Sequence, residues 1–236
     1  MGNIFNLILY QPFLNLLIFI YNTIPGHDFG VAVVIMTVIV RLVLMPLSIK
    51  AILSQRNITK IQPKLKELQK KYKDDKQTLS RETMALYKEY GVNPLSGCLP
   101  ILIQLPILIA LYQVFGAGFK ATNFHMLYSF VHNPGTIHQL AFGFIDIAKK
   151  SPIIAVLAGG LQFVQAKFSM ANQVTGAGTQ DGTMAAMNKQ MLYFFPIFIT
   201  IIAWNLPFGL TLYWVITTLF SIFEQLYISK RHKHVS

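Results

Sequence analysis

Charge is what this sequence has least of. Only 12% of its 236 residues are charged, about half the share in an ordinary soluble domain. With 53% hydrophobic residues, a soluble domain this size could not hide its apolar surface, so a water-soluble globular fold is excluded. Disorder is excluded as well, because 18 Phe, 10 Tyr and 2 Trp are far from a disordered composition. The single cysteine, Cys98, cannot form an intramolecular disulfide. Its apolar neighbours (GCLPILIQLP) point to an inert buried thiol. No Lys or Arg precedes Arg41, so the basic n-region of a cleavable signal peptide is missing. Gly2 begins GNIFN, without the Ser/Thr of a myristoylation motif. Acidic residues are the rarest charges: 9 Asp+Glu against 20 Lys+Arg, a net +11. In a soluble chain that excess would suggest nucleic acid. In a membrane protein it raises the question of sidedness.

Long apolar runs are what the sequence does have. A spanning helix needs roughly 20 mostly apolar residues. Residues 29–49 qualify with one charge, Arg41, and the run after Tyr90 as far as Phe119 carries none. Residues 151–166 form a shorter run, and 190–223 a charge-free stretch of 34 residues. That stretch is too long for one crossing, and NLPFG at 205–209 is a strong turn signal that divides it. The reading is an all-α polytopic membrane protein with five spans, at 26–50, 93–118, 151–168, 189–205 and 208–229. Residues 1–25 are apolar but carry Asn3, Asn6, Gln11, Asn15 and Asn22 within half a helical circumference. Pro12 would kink a helix there. The pattern favours a helix lying in the outer interface over a sixth span.

Residues 51–92 differ in texture. Ile58, Ile61, Leu65, Leu68 and Tyr72 repeat at heptad spacing, with Pro63 inside the stripe, marking a kink or a restart. Asp74-Asp75 reads as a turn, and Leu79, Thr83, Leu86 and Tyr90 continue as a second helix. The prediction is a helical hairpin outside the bilayer. Residues 119–150 read as an outer surface loop with a short interfacial helix, 169–188 as a mobile loop, and 230–236 as a basic tail. With five spans, sixteen of the 20 basic residues fall on the side of the hairpin, the 169–188 loop and the tail. Three (Lys120, Lys149, Lys150) fall opposite, and Arg41 lies within a span. The positive-inside rule puts the larger set in the cytoplasm and the N-terminus outside. His232 and His234 could hold a metal weakly, but in KRHKH they read as a solvated tail.

Arg41 is the chemical outlier. An arginine near the bilayer centre costs about 2.5–3.5 kcal/mol on insertion scales. Two environments can meet that cost: the inner interface, reached by snorkelling past Pro46 and Ser48, or a water-filled groove inside the bundle. Thr37 stands one turn before it on the same face. Gln104 in the second span, Gln162 and Gln165 in the third, and Thr211, Trp214, Thr217 and Thr218 in the fifth supply polar groups. Glu224 falls within six residues of Lys230 and reads as solvated at the cytoplasmic end, which leaves no carboxylate at matching depth. Spans three and four hold only about 15–16 clearly apolar residues, or about 22–24 Å of helix. That is short of a ~30 Å hydrocarbon core, so they should thin the bilayer locally.

These residues make a family recognisable. The stretches VIVRLVLMPLSIKA, LQKKYKDDKQ, LYKEYGVNPLSGCLPILIQLPILIALYQVF, LQFVQAKFSM and MNKQMLYFFPIFITIIAWNLPFGLTLYW resemble the YidC-type membrane protein insertases, relatives of the mitochondrial Oxa and chloroplast Albino proteins. The resemblance covers nearly the whole chain and implies a minimal five-span form. It implies that Arg41 is the groove arginine with Thr37 beside it, and that Gln104, Gln165 and Trp214 face the groove. It implies that Leu105 and Leu108, joined by Ile202, form an apolar slide for substrate helices. Implied partners are nascent membrane proteins, the lipid bilayer, the ribosome and a Sec-type channel, in a bacterial inner membrane.

A small transporter or anion channel using Arg41 is the alternative, and inverted repeats, its usual support, are not evident. No GxxxxGK[ST], GxSxG or HExxH occurs, so the chain reads as a non-enzyme without a cofactor or a resident metal.

Overall fold

The computed structural model describes residues 3–93, 99–116, 121–135, 137–171 and 182–232. Cys98, the centre of the 169–188 loop and the tail beyond His232, with His234, lie outside the described residues.

The first helical segment runs as Asn3–Phe5 (α1), a π turn at Asn6–Tyr10, and Gln11–Thr23 (α2). Pro12 has no N–H for the preceding turn, and the widened π turn in front of it absorbs the missing bond. Its polar side chains do not simply mark a face toward lipid headgroups. Asn15 is buried, donates to the carbonyls of Gln11 (2.8 Å) and Met126 (3.0 Å), and accepts from the Tyr128 amide at 2.6 Å. Gln11 also donates to Met126 O, and Asn22 to His132 O. The asparagines and glutamine therefore clamp the segment after residue 121 onto α2, satisfying backbone groups that have no ladder of their own.

Phe29–Lys71 forms one continuous helix of 43 residues (α3), about 65 Å long. Asp28 caps it by accepting from the Val31 amide. The expected boundary at residue 50 and the break at Pro63 are both absent: Pro46 and Pro63 lie inside the helix. Each proline removes one backbone bond, but both rings are exposed, so neither wedges a packed neighbour. Beyond Pro63 the helix is held by side-chain packing. Lys76–Glu89 (α4) folds back on it, burying Ile61, Leu65, Leu86 and Val92 together, with Ile58, Leu68 and Tyr87 against them. Asp75 opens α4 by accepting from both the amide and the hydroxyl of Thr78. These bonds hold its carboxyl below the usual carboxylate range.

Leu99–Gly116 forms α5. After it, Ala121–Met126 is a 3-10 turn, and Leu140–Ala141 (β1) pairs antiparallel with Ile145–Asp146 (β2). A small hairpin in the expected outer loop thus departs from a purely α reading. Phe142 and Gly143 turn the chain at positive φ, which glycine adopts freely and short alternation cannot reveal. Ala141 then packs so close to α3 that a Cβ on Gly30 would lie 2.6 Å from its own.

Pro152–Ala171 (α6), Gly182–Asn205 (α7) and Phe208–His232 (α8) complete the bundle. Helix enters both ends of the 169–188 stretch, since Thr183–Gln190 is rich in helix-forming Ala, Met and Gln. NLPFG is the α7–α8 junction, docked by Phe208 N to Lys149 O (2.8 Å) and Gly209 N to Ile147 O (3.1 Å). One core joins α2, α3, α5 and α8 around Leu17, Phe29, Leu111 and Tyr213. A second, built on Ala155, Ala158, Ala203 and Val215, joins α6 to α7 and α8.

Large apolar side chains also cover the outside: Val43, Leu102, Ile153, Ile197, Ile201 and Phe223 are all exposed. Such a surface suits lipid, not water. By length and composition, Phe29–Lys71 and Pro152–Ser169 can each cross a membrane, and Leu102–Phe115 and Leu192–Asn205 are shorter apolar helices.

The small-residue contact between α6 and α7 is testable. A Cβ at Gly159 would overlap Thr200 Oγ1, so Gly159→Ala should cost about 1–3 kcal/mol by overpacking. Adding Thr200→Ala should recover much of that loss in thermal unfolding in detergent; equal losses in the single and double variants would exclude the contact. Asp75 generates a pH effect. Its carboxyl is lowered on folding, so its contribution is full above the unfolded value of about 3.9. The contribution is lost as pH falls through the lower folded value. Asp75→Asn, monitored by helicity of residues 50–92 between pH 2 and 5, should flatten that acid-side loss.

Candidate functional site

The site is built where α3 passes α8. Ser48 Oγ donates to Glu224 Oε2 at 2.8 Å, and Arg56 Nη1 donates to Ile228 O at 3.3 Å. Later residues of one helix meet later residues of the other, so the two run in the same direction. Along α8, Tyr213, Thr217, Ser221 and Glu224 recur at spacings of four, four and three, one helical face, and all four are buried. The Ser221 hydroxyl donates to Thr217 O at 3.0 Å. The stripe is a polar seam inside an apolar bundle.

Arg41 lies just over three turns into α3 and is half-buried. Among the described residues it makes no hydrogen bond, and no carboxylate comes within 4 Å of it. None of its nitrogens is sealed from the surface. Tyr213 and Glu224 lie within its electrostatic range. Tyr213, only 2% exposed, receives a 2.8 Å hydrogen bond on its hydroxyl from Gln104 of α5. Gln104 and Tyr213 are thus a bonded pair between α5 and α8, and Tyr213 and Glu224 are the groups of α8 that Arg41 of α3 senses electrostatically. A guanidinium carries five donors, and with no hydrogen-bond partner among the described residues it has the chemistry to receive an anion, whose attraction an apolar surround screens weakly.

The remaining sequence candidates divide. Gln162 donates to Gln165 at 3.1 Å, and both are half-buried on α6. Near them, Gln55 of α3 reaches Ser169 at 3.5 Å. Trp214 is half-buried on α8. Leu105 is 50% exposed on α5, while Leu108 and Ile202 are half-buried. Thr37 does not serve Arg41: it is 0% exposed and its hydroxyl is spent on Val33 O at 2.6 Å. Thr211 is buried too, its hydroxyl shared between Pro207 O and Ala203 O at the α7–α8 junction. Thr218 likewise bonds back to Trp214 O. Helical threonines satisfy themselves on the preceding turn when no other acceptor is nearer.

Glu224 requires a correction. It is 4% exposed and bonded to Ser48, so it is buried rather than solvated, two turns along α3 from the level of Arg41. Tyr213 was likewise overlooked. Following the 213–217–221–224 spacing in both directions from Thr217 finds both.

With that geometry in view, the similarity to known proteins decides the family. The model of the 60Kd inner membrane protein family matches residues 19–235. The chain belongs to that family. A protein of Fusobacterium nucleatum subsp. nucleatum named Membrane protein insertase YidC is 34% identical over 225 residues, 94% of this chain and 98% of its own length. Membrane protein insertase MisCA of Bacillus subtilis is 37% identical over 205 residues, 84% of this chain and 69% of that protein. A longer YidC insertase of Syntrophus aciditrophicus is 35% identical over 224 residues, 94% of this chain but 36% of its own length.

Within this family member, the Gln104–Tyr213 bond can be tested as a coupled pair. Gln104→Leu leaves a buried hydroxyl unpaired, at about 1–3 kcal/mol. Adding Tyr213→Phe should cost less than the sum of the two single changes; strict additivity in detergent unfolding would deny the coupling.

Proposed function

We propose that this protein is a membrane protein insertase whose working element is the cation of Arg41, held in a groove that opens to the cytoplasm. The single observation that carries this reading is that Arg41 is half-buried in an apolar helix, makes no direct ion pair among the described residues, and reaches the surface. The names of the relatives, membrane protein insertases, support the same reading.

In this proposal five helices cross the bilayer: the first part of α3, then α5, α6, α7 and α8. Residues 1–25 lie in the outer interface and 119–150 outside. The arm at 51–92, the 169–188 stretch and the tail at 230–236 face the cytoplasm of a bacterial inner membrane, following their basic charge. Gln104, Gln162, Gln165 and Trp214 wet the groove, while Thr37 and Thr211 support it from the core. Leu105, Leu108 and Ile202 offer an apolar track along which a new segment leaves for lipid. The acidic or polar flank of an arriving chain rests on Arg41 while its apolar segment is buried, and that burial drives the step without nucleotide. Membrane potential contributes about 2.3 kcal/mol per charge per 100 mV, drawing a negative flank outward. The ribosome and a Sec-type channel are proposed partners on the cytoplasmic and lateral sides.

Reconstitution tests this. Arg41→Glu should abolish insertion of single-span substrates with acidic N-terminal flanks in proteoliposomes, and Arg41→Lys should largely retain it. Wild-type activity from the Glu variant would refute the groove-charge mechanism. A photoreactive residue at Leu105 should capture nascent chains during translation. Thiol labelling at Gln165→Cys from both sides of the membrane would instead favour an anion channel.

A further inference from the structure

Glu224 is not used by the mechanism just proposed, yet its setting is unusual. It is 4% exposed, Ser48 alone holds Oε2, and Oε1 is buried with no hydrogen-bond partner. A buried carboxylate left half-satisfied is destabilising unless a cation compensates it. Ser48 lies seven residues beyond Arg41 on α3, two turns along the same face, about 10 Å of rise. Across that interval Arg41 and Glu224 lie within electrostatic range of each other. They do not close to an ion pair within 4 Å. Lys50, the next cation along α3, is exposed, and Arg56 beyond it donates to Ile228 O one turn further down α8. Ser48 therefore holds the carboxylate near Arg41 but short of contact.

We infer that Glu224 is the resident counter-ion of the groove, tethered by Ser48, and that it sets how strongly the groove prefers acidic substrate flanks. Resting on the groove reading, this assigns the same site an internal competitor. With the groove empty, Glu224 partly neutralises Arg41 across the seam. An incoming carboxylate that reaches the guanidinium directly displaces that weaker, longer-range interaction. The tether matters because a closed Arg41–Glu224 pair would leave no site, and a missing carboxylate would leave a cation that holds acidic flanks more strongly and releases them slowly.

The test uses purified full-length protein in proteoliposomes and three otherwise identical single-span substrates whose N-terminal flanks carry two Asp, two Asn or two Lys. Glu224→Gln keeps the side chain's shape and an acceptor for Ser48. It should raise photocrosslinking of the Asp flank from a probe at Leu105, relative to the Asn flank, by about fivefold, the low end of ordinary coupling between two ligands. The Asn flank itself should be unchanged, and the Asp-flank signal should become more sensitive to salt. An unchanged Asp-to-Asn ratio overturns the proposal. If Arg41→Gln still erases the preference in that case, the groove reading stands and Glu224 is only structural. If Arg41→Gln leaves the preference intact, the groove reading fails first. Should Glu224→Gln not reach vesicles folded, Ser48→Ala carries the test. Freed from its tether, the carboxylate closes on Arg41 and the ratio falls by a similar factor; no change overturns the proposal.

Discussion

An arginine cannot be left facing hydrocarbon, and the rest of this structure is arranged around that fact. α3 carries Arg41 on the face it turns toward α8, and α8 answers with a continuous row of buried polar side chains from Tyr213 to Glu224. Neither helix is amphipathic in the ordinary sense, since lipid-facing residues such as Val43 and Phe223 are as apolar as the core. The polar row is instead an interior seam. It is tolerable because Ser221 bonds back to its own helix, Gln104 serves Tyr213, and Ser48 serves Glu224, while the Thr217 hydroxyl stays buried without a hydrogen-bond partner among the described residues. Arg41 is the charged member whose donors are left without a protein acceptor among the described residues.

The surroundings fix this seam in space. On one side, α2 and the segment after residue 121 lock together through Asn15 and Gln11, and that unit packs into the same core as Phe29 and Tyr213. On the other, Gly159 lets α6 lie close against Thr200 of α7, and the α7–α8 junction is tied to Ile147 and Lys149. The long arm of α3 after residue 50 packs on α4 through only a small buried cluster.

Much of this was legible in the residues. The NLPFG turn, the stripe at Ile58, Ile61 and Leu65, and the Asp75 start of α4 all follow from local chemistry: turn propensity, heptad spacing and capping. Arg41 stood out because composition alone makes a charge in such a run anomalous. Other features turn on contacts between distant segments. Pro63 was a break by propensity, and became a mid-helix residue once α4 packed on the far side of it. Asn15 looked like an interfacial polar group, until Met126 and Tyr128, more than a hundred residues away, used it as a clamp. Thr37 shares a face with Arg41 but is sealed in the core by helices the local sequence cannot announce.

The sequence by itself determined that this chain belongs in a membrane, where its helices turn, and that one cation would demand an explanation. Hydropathy, turn chemistry and charge are local, additive quantities, so they can be read from residues in order. Tertiary structure alone decided which polar groups meet that cation. Whether Glu224 is solvated at a helix end or buried beside Ser48 depends on the register between two helices separated by nearly the whole chain, and packing sets that register.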